Sequence, residues 1–536
     1  MDGIKILDCT LREAPLDDLM WGDLSIQKVI HGLENSGVDI IEVGFLKNNP
    51  YQFGSTSFNR VEDIKPFLKN KKENTMYVAL VDYGRYDLKY LSDYDGTSID
   101  AIRVCFKHNE IDVVLDYVAK IRAKGYKVSI QHVDTMGFTD EDIVNFIKKV
   151  NDFKPFSYAI VDTFGAMYGS EVRHYAELVS TYLDEDILLG FHAHNNLMLA
   201  DANDQLFIEI MKGKRSIIVD TSLYGCGRSA GNAHTELILQ YLNKKHSGSY
   251  DINEVLDLID TVIVAAQEKT SWGYSIPYFI SGIYNAHTFN VKQLLKRHNL
   301  KSKDLRGIIE MLDDTQKKAY DYALLEKLYV EYFNASINDD DVICKLSEEL
   351  SGKNILLIGP GKSILNSKGK IDEYIRINKS IVIGVNNLID GFKFDYVFYS
   401  GAVRYQNLQY QDYKSAGSPQ IILSSNIKDK ADDNEVIVDY KSLIKFGWIN
   451  LDSSLIMLLR LLLKCGVTSM AAAGLDGYEK FGKAFYKNEL DTGLDEKARL
   501  EHTNDNISMI EDLRSQYSEF KISFLTDSVY EKCFRG

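Results

Sequence analysis

The sequence predicts an α/β protein in two parts: an eight-stranded (β/α)8 TIM barrel with a helical extension, then a Rossmann-like open-sheet domain. First, eight short β-rich runs alternate with amphipathic stretches of helical length in the N-terminal half, the pattern of a parallel sheet with crossover helices. Second, these runs fill about 250 residues, the usual size of a closed barrel. Third, strand patterns stop near residue 250 and resume at residue 354. A doubly wound open sheet is the alternative for the first part.

Each element follows from its own run of residues. The predicted barrel strands are Ile4–Asp8, Ile40–Val43, Met76–Val81, Ala101–Val104, Lys127–His132, Tyr158–Asp162, Leu188–His192 and Ile217–Ser222. The predicted strands of the second sheet are Asn354–Ile358, Ser380–Val385, Asp395–Tyr399, Ile421–Ser424, Ser469–Ala473 and Lys521–Leu525. We therefore expect a barrel over residues 1–250, its helical extension over 251–335, a linker with one helix over 336–353 and an open-sheet domain over 354–536.

Composition restricts the classes of function. A formal charge of -15 argues against a nucleic-acid partner, because a phosphate backbone must be met by clustered Lys and Arg. The chain has no run of eighteen apolar residues and no basic-then-apolar leader, so we expect a cytoplasmic protein without a membrane partner. The 6 cysteines show no CxxC pairing, which fits a reducing compartment.

Polar segments follow three of the predicted barrel strands. They are Asp8–Glu13 after the first strand, Gly190–Asn196 at the seventh and Leu223–Asn232 after the eighth. Barrel enzymes place their active sites at the carboxyl ends of the strands, so these segments are the candidate site.

Two histidines in the second of these segments have the spacing of a metal-chelating pair. His192 and His194 are two residues apart, and alternate side chains of a strand point to the same face. A carboxylate from a neighbouring strand would complete a facial triad with open positions for a substrate. The alternative is that one or both histidines only form hydrogen bonds in the core.

The three segments together resemble the DRE-TIM metallolyase superfamily. The resemblance rests on T-L-R-E after the first strand, H-x-H-N at a late strand and G-x-G-x-x-x-G-N after the last, and it covers about residues 1–290. This superfamily includes 4-hydroxy-2-oxovalerate aldolase, hydroxymethylglutaryl-CoA lyase, isopropylmalate synthase and homocitrate synthase. The resemblance implies a barrel lyase that uses a divalent metal.

The resemblance also implies a role for each motif residue. Arg12 would steady the enolate or the oxo group of the substrate. Glu13, His192 and His194 would bind the metal, and Asn232 would lie with them. Most members have Asp where this chain has Glu13, but the homocitrate synthases resemble it in having Glu.

Four further residues are expected to contact the substrate, and one to move a proton. Asp8, Asp162, Gly225 and Gly227 lie in motifs at strand ends and are the predicted substrate-binding residues. Tyr274 resembles the Tyr of a Tyr-Ser pair in the related aldolases, either as a catalytic acid or base or as a buried aromatic residue. The His that serves as base in those aldolases is absent. Asp17 and Asp18 lie where it would be, as replacement bases or as solvated loop residues.

We expect a metal-dependent aldolase that acts on a 4-hydroxy-2-oxo acid and an aldehyde, with a pyruvate-type enolate. Oxygen and imidazole ligands suit Mn²⁺ or Mg²⁺, and they are also compatible with Co²⁺ or Zn²⁺. We also expect a homo-oligomer. The alternatives are a Claisen-type acyl-CoA synthase, which Glu13 favours, and a non-catalytic barrel that acts as a scaffold.

The C-terminal domain opens with a glycine turn after its first strand. Gly359-Pro-Gly361-Lys-Ser363 is not a Walker P-loop, because position 356 is Leu, but such a turn offers backbone N–H groups to a phosphate. With Asn386 after the second strand, the pattern weakly resembles hydroxymethylpterin-pyrophosphokinase-like and sialyltransferase-like domains. We expect a nucleotide or nucleotide sugar at Gly359, Gly361, Ser363 and Asn386, which would suit glycan or surface-polymer synthesis. A purely structural domain is the alternative.

Overall fold

A computed structural model shows two compact units, Met1–Thr288 and Phe289–Gly536. The structure describes residues 3–13, 20–270, 272–298, 300–333, 337–410, 416–427, 435–478, 485–487 and 496–534. Within these ranges, no helix has the length and apolar character needed to cross a lipid bilayer. The predicted fold class is confirmed, since each unit is built on a parallel sheet.

Unit 1 is a closed barrel of parallel strands. The strands are β1 (Ile4–Asp8), β2 (Ile40–Leu46), β3 (Ser57–Phe58), β4 (Met76–Asp82), β5 (Ala101–Phe106), β6 (Lys127–His132), β7 (Ser157–Asp162), β8 (Leu188–Ala193) and β9 (Ile217–Thr221). The order is β1-β9-β8-β7-β6-β5-β4-β2, and β1 closes the ring by pairing with β2. All eight predicted strands are present. The two-residue β3, which pairs only with β2, was not predicted.

The barrel helices bury one apolar face against the strands. They are α1 (Thr10–Glu13), α2 (Asp23–Ser36), α3 (Val114–Ala123), α4 (Asp140–Phe153), α5 (Gly169–Tyr182), α6 (Ala200–Met211), α7 (Thr235–Lys245), α8 (Ile252–Leu258), α9 (Val264–Gln267) and α10 (Ile276–Ile283). In α4, Thr139 caps the N-terminus by accepting a bond from Asp142 N at 3.1 Å, and Lys154 ends the helix at φ 53°. Ile143, Phe146, Ile147 and Val150 have helical spacing and are buried. Burial of each such side chain stabilises the fold by about 1.5–3 kcal/mol.

Unit 2 contains a seven-stranded open sheet, also all parallel. Its strands are β10 (Ile355–Ile358), β11 (Ile381–Val385), β12 (Tyr396–Tyr399), β13 (Gln420–Ser424), β14 (Glu435–Val438), β15 (Ser469–Ala473) and β16 (Lys521–Phe524). The order is β14-β13-β12-β11-β10-β15-β16, so the chain reverses its direction of travel beside β10. Six of the strands were predicted. The edge strand β14 was not, because only Val438 of its four residues is buried and it therefore has no continuous apolar run.

The helices of unit 2 begin before the sheet. They are α11 (Thr288–Arg297), α12 (Ser302–Glu310), α13 (Asp314–Lys318), α14 (Tyr322–Phe333), α15 (Asp340–Leu350), α16 (Lys368–Asn378), α17 (Ala402–Gln406), α18 (Tyr440–Leu443), α19 (Ser454–Lys464) and α20 (Glu496–Gln516). The helical extension of the barrel was predicted over residues 251–335, and the boundary between the two units falls inside it, after Thr288. Tyr329 on α14 bonds to Asp452, and His298 Nδ1 lies 3.6 Å from the same carboxylate. In the predicted linker, α15 buries Leu346 and Leu350.

Candidate metal centre

Two strand ends bring one carboxylate and two imidazoles together at the carboxyl end of the barrel. Glu13 lies at the end of α1, which follows β1 directly, and His192 and His194 lie at the end of β8. Since β9 alone separates β1 from β8, the two segments meet. One ligand atom from each of the three side chains lies within 4.8 Å of the others, and all three side chains are buried. The sequence predicted this cluster, and it is the one His/Cys/Asp/Glu group of metal-binding geometry among the described residues.

Each histidine is oriented by a partner at Nδ1. His192 Nδ1 lies 3.1 Å from Asp220 Oδ2, and His194 Nδ1 lies 3.1 Å from the carbonyl oxygen of Asp162. His194 Nδ1 therefore donates to that carbonyl oxygen, His192 Nδ1 lies within ion-pair distance of the Asp220 carboxylate, and both Nε2 atoms are left to act as ligands. His192 Nε2 lies 3.8 Å from Glu13 Oε1. Burial lowers the pKa of both imidazoles, which favours the neutral form that binds metals.

The donor set fits a divalent cation. His194 Nε2 and Asn232 Oδ1 are buried and have no hydrogen-bond partner among the described residues. The amide group of Asn232 donates to the carbonyl oxygen of Cys226 at 2.9 Å, and Asn232 pairs with His194 in an isolated bridge. Buried polar atoms without partners are rare unless a ligand satisfies them. Two imidazoles, a carboxylate and an amide oxygen suit Mn²⁺ or Mg²⁺, and also Co²⁺ or Zn²⁺.

A buried chain of alternating charges lies beneath this cluster. Arg12 contacts Glu13 and donates from Nε to Glu42 Oε2 at 2.6 Å. Arg103 Nη1 lies 3.0 Å from Glu42 Oε1, and Arg103 also bonds to Asp220. Burial alone would raise the pKa of Asp220, but Arg103 and His192 lower it below its usual value. Two guanidinium groups against three carboxylates leave an excess negative charge beside neutral imidazoles, and this excess favours a cation.

Glycines shape the loop that carries Asn232. Gly231 has φ +88°, and a Cβ there would lie 1.9 Å from the carbonyl oxygen of Gly225. A Cβ on Gly227 would lie 2.4 Å from Asn232 Nδ2. The Gly225 carbonyl accepts from Asn232 N at 3.0 Å. The structure thus places Gly225 and Gly227 in contact with Asn232, and their contact with substrate stays a prediction.

Asp8 and Asp162 hold the surrounding loops. Asp8 accepts from Thr10 N at 2.9 Å and from Thr235 Oγ1 at 2.6 Å, and burial raises its pKa to about 6. Asp162 accepts from the backbone N–H groups of Ala166 at 2.8 Å and Met167 at 3.1 Å, and burial raises its pKa to about 7. Because the chain itself engages these oxygens, loop positioning is the role that the geometry supports. Their contact with substrate stays a prediction.

Tyr274 lies on a segment attached to the glycine loop. Its neighbour Trp272 donates from Nε1 to the carbonyl oxygen of Tyr224 at 2.9 Å, and Ser275 caps α10. Tyr274 itself is 57% exposed, so it is not the buried aromatic residue considered above. Its role as an acid or base stays a prediction. Asp17 and Asp18 lie outside the described residues.

Three charged residues beneath the cluster were not predicted from the sequence. Glu42, Arg103 and Asp220 each stand alone in an otherwise apolar strand, in IIEVGFL, AIRVCF and IIVDT. A charge in a buried strand needs a partner, so three such charges in one barrel were the available signal.

The residues predicted to bind a nucleotide lie in the glycine turn after β10 and at the end of β11. Ser363 donates from N to Asp476 Oδ2 at 2.8 Å, and its hydroxyl bonds to the same carboxylate. A Cβ on Gly361 would lie 2.4 Å from that carboxylate, while Gly359 N donates to the carbonyl oxygen of Ala473 at 2.9 Å. Asn386 Oδ1 accepts from Ser400 N at 3.4 Å. The N–H of Ser363 is therefore already bonded to an acidic side chain of the protein.

A (β/α)8 barrel with a Glu-His-His cluster beside a buried arginine defines the class, a DRE-TIM metallolyase. Residues 4–266 match the family model described as HMGL-like, so this part of the chain contains an HMGL-like domain. The predicted resemblance is confirmed.

Two curated relatives and one solved structure each match about half of the chain. Oxaloacetate decarboxylase of Mycobacterium tuberculosis is 26% identical over 300 residues, covering 54% of this chain and 84% of the relative. The 4-hydroxy-2-oxovalerate aldolase of Geobacillus stearothermophilus is 24% identical over 295 residues, covering 52% of this chain and 82% of the relative. A crystal structure of HMG-CoA lyase from Brucella melitensis aligns with a TM-score of 0.41 and 14% identity, covering 50% of this chain and 100% of that one. The family match and the distant homology to the two curated relatives support a lyase or aldolase of the DRE-TIM type.

Proposed function

We propose that the barrel is a divalent-metal-dependent lyase that forms or cleaves a carbon–carbon bond next to the oxo group of a 2-oxo acid, as 4-hydroxy-2-oxovalerate aldolases do. The observation that carries this proposal is the convergence of Glu13, His192 and His194 beside Arg12. The names of the relatives support it, because an aldolase and a decarboxylase of 2-oxo acids both need a stabilised negative charge on the oxo oxygen.

The metal and Arg12 would share the task of stabilising that charge. Glu13, His192 and His194 would hold a divalent cation, which would supply Lewis-acid polarisation of the oxo group of a 2-oxo acid. Arg12 is buried and held through its Nε by Glu42, so its guanidinium is fixed before the substrate arrives. Donors that are already oriented toward developing charge lower the barrier because they need no rearrangement during the reaction.

His287 is our candidate for the group that moves the proton. Phe164, in the loop after β7, has its ring 6.1 Å from the His287 ring. Burial, together with the positive charges of Arg228 and Lys107, lowers the pKa of His287 to about 4. The imidazole is therefore neutral near pH 7, the form that a base must have before it accepts a proton, but its low pKa makes it a weak base. His287 would then take the place of the His that is absent after Glu13.

The test is proton exchange at the methyl group of pyruvate. Full-length protein is stripped of metal, loaded with Mn²⁺ and mixed with pyruvate in D₂O, and deuterium incorporation is followed by NMR after the metal is removed. Glu13→Gln is expected to lower the exchange rate by about 100-fold or more, because it removes the one carboxylate ligand. Glu177→Gln, on the exposed face of α5, is the matched control. Exchange at the buffer rate in the Mn²⁺-loaded wild type, or equal rates for wild type and Glu13→Gln, would refute the proposal.

Two other functions predict different results. A Claisen-type synthase, which Glu13 favours, would release free thiol from acetyl-CoA and a 2-oxo acid, and a thiol reagent detects this directly. A scaffold would show neither exchange nor a rise in melting temperature with Mn²⁺. Cleavage of 4-hydroxy-2-oxovalerate and decarboxylation of oxaloacetate, assayed side by side through the pyruvate released, distinguish the activities of the two relatives.

For unit 2 we propose a nucleotide or nucleotide sugar at the carboxyl ends of β10 and β15. The order of the sheet supports this proposal. The chain continues from β10 to one side of the sheet and returns to β15 on the other side, and such a reversal opens a crevice at the carboxyl ends of the two strands. Gly359, Gly361 and Ser363 line the β10 side of that crevice, and Asp476 lines the β15 side. Thermal shift of the full chain with CMP, UDP and ATP, each with and without Mg²⁺, tests the proposal. No shift with any of them would favour a structural domain, and would remove the basis for a role in glycan synthesis.

A further inference from the structure

Arg228 lies on the glycine loop, Gly225–Asn232, which is attached to the end of the strand that carries both histidines. Asn195 N donates to the Gly231 carbonyl at 2.7 Å, and Ala230 N donates to Asn196 Oδ1 at 3.2 Å. Gly231 N in turn donates to the Arg228 carbonyl at 2.9 Å, which makes Arg228 the first residue of a tight turn. The backbone of Arg228 is therefore fixed beside the candidate metal centre.

The side chain of Arg228 extends over the barrel mouth. Its loop follows β9, which lies opposite β5 in the ring of eight strands. Its guanidinium nevertheless interacts electrostatically with Asp82 at the end of β4 and Cys105 in β5, on the far wall, and with Arg12 after β1. It also acts on His194 at the near wall. A side chain that interacts with both walls must lie above the space between them.

This cation has no counter-ion in the described part of the chain. The guanidinium of Arg228 makes no hydrogen bond or ion pair there, and the nearby Asp82 is already 3.4 Å from Arg85. The residue is exposed at the mouth, where the positive charge of Arg12 repels its guanidinium, and a bound anion would offset that repulsion. The chain has a net charge of -15, so a positive charge at the mouth of the barrel differs in sign from the protein as a whole. This positive charge would attract an anionic ligand.

We propose that Arg228 binds a carboxylate or phosphate group on the carbonyl partner of the reaction, so that this partner is itself an anion. The inference rests on the proposed function above. The 2-oxo acid belongs at the metal centre with Arg12, whereas Arg228 extends toward β4 and β5 at the opposite side of the mouth. The distal end of the aldehyde would lie there. Arginine suits the task because its planar group donates two parallel bonds to a carboxylate or phosphate.

The reaction used as a test is condensation of pyruvate with an aldehyde. A proton leaves the pyruvate methyl group, its carbon bonds to the aldehyde carbon, and the aldehyde oxygen takes up a proton, giving a 4-hydroxy-2-oxo acid. Succinic semialdehyde and butanal form a matched pair of four carbons, one anionic and one neutral. Mn²⁺-loaded wild type, Arg228→Gln, Arg228→Lys and the control Arg173→Gln, on the exposed side of α5, are compared by mass spectrometry of the product.

The expected result is a loss of discrimination. Wild type should prefer succinic semialdehyde, and Arg228→Gln should raise its KM by about 10- to 100-fold with little change in kcat, because one charge-assisted contact is lost. The constants for butanal and the KM for pyruvate should change much less, and Arg228→Lys should recover part of the preference. Equal use of both aldehydes by wild type, or an equal loss for both in Arg228→Gln, would overturn the inference. A raised KM for pyruvate alone would instead place the 2-oxo acid carboxylate at Arg228.

A binding measurement separates this inference from the proposed function. Titration calorimetry with succinate and with inorganic phosphate needs no turnover, and it uses the same Mn²⁺-loaded proteins. Binding to wild type that is weakened about tenfold or more in Arg228→Gln would support an anion site even if pyruvate exchange failed. Equal binding to both proteins would overturn it even if pyruvate exchange succeeded. Preference for phosphate over succinate would indicate a phosphorylated aldehyde.

Discussion

Replacement of Asp220 by Asn should weaken metal binding without removing a ligand. Asp220 is 1% exposed, and its carboxylate lies 3.1 Å from His192 Nδ1 and is bonded to Arg103. The Asn side chain has the same shape but one negative charge less. The amide oxygen can still accept a hydrogen bond, but as a neutral acceptor it orients the imidazole less strongly than the carboxylate does.

The magnitude follows from the partners that remain. Partners that orient a histidine ligand contribute about 10- to 100-fold to metal affinity, which is about 1.4 to 2.8 kcal/mol. Asp220→Asn also removes the excess negative charge beneath the cluster, so the upper half of that range is expected. The metal-free variant should still fold, because Arg103 keeps Glu42 at 3.0 Å and Gln131 at 2.8 Å.

The assay is titration calorimetry of the metal-free full chain with Mn²⁺, with circular dichroism to confirm the fold. Asp186→Asn is the matched control, since its side chain is 63% exposed and lies 3.4 Å from Lys154. A dissociation constant for Asp220→Asn within twofold of wild type, in a protein that is folded, would show that Asp220 does not orient the ligand. The chain of buried charges would then have no bearing on the metal.

Further predictions concern pH and a loop. Asp452 and Glu326 raise the pKa of His298 to about 9 against the effect of burial, so its contribution to stability is complete below pH 6.5 and is lost as pH rises through 9. The free energy of unfolding that it contributes, about 3 kcal/mol, should appear in urea titrations as a difference between wild type and His298→Gln that shrinks from pH 6 to pH 10. Gly165→Ala should lower pyruvate exchange at least tenfold, because Gly165 has φ +57° and a Cβ there would lie 2.5 Å from Asn196 N. If Gly165→Ala has the metal affinity and exchange rate of wild type, the close packing of Gly165 against Asn196 is not important for the site.

The strands and the cluster could be predicted because their patterns are local. Buried parallel strands are continuous apolar runs, and the two-residue spacing of His192 and His194 fixes their common face. The chain of charges could not be found in this way. The partners Glu42 and Arg103 are 61 residues apart by their numbers, and only closure of the barrel brings them within 3.0 Å. The spacing of apolar residues also shows that α11 and α14 each have an apolar face. It does not show whether that face packs in the barrel unit or in the unit of the second sheet.

Strand β1, whose pairing with β2 closes the barrel, is also the strand that leads to the carboxylate ligand Glu13. Strand β1 is held by β2 on one side and β9 on the other, and Glu13 lies five residues past its end. A cation bound by Glu13, His192 and His194 would link the segment after β1 to the end of β8, across the intervening strand β9. In metal-free protein, β1 should therefore be the first strand to unfold locally. Limited proteolysis near β1 should be faster without metal than with it.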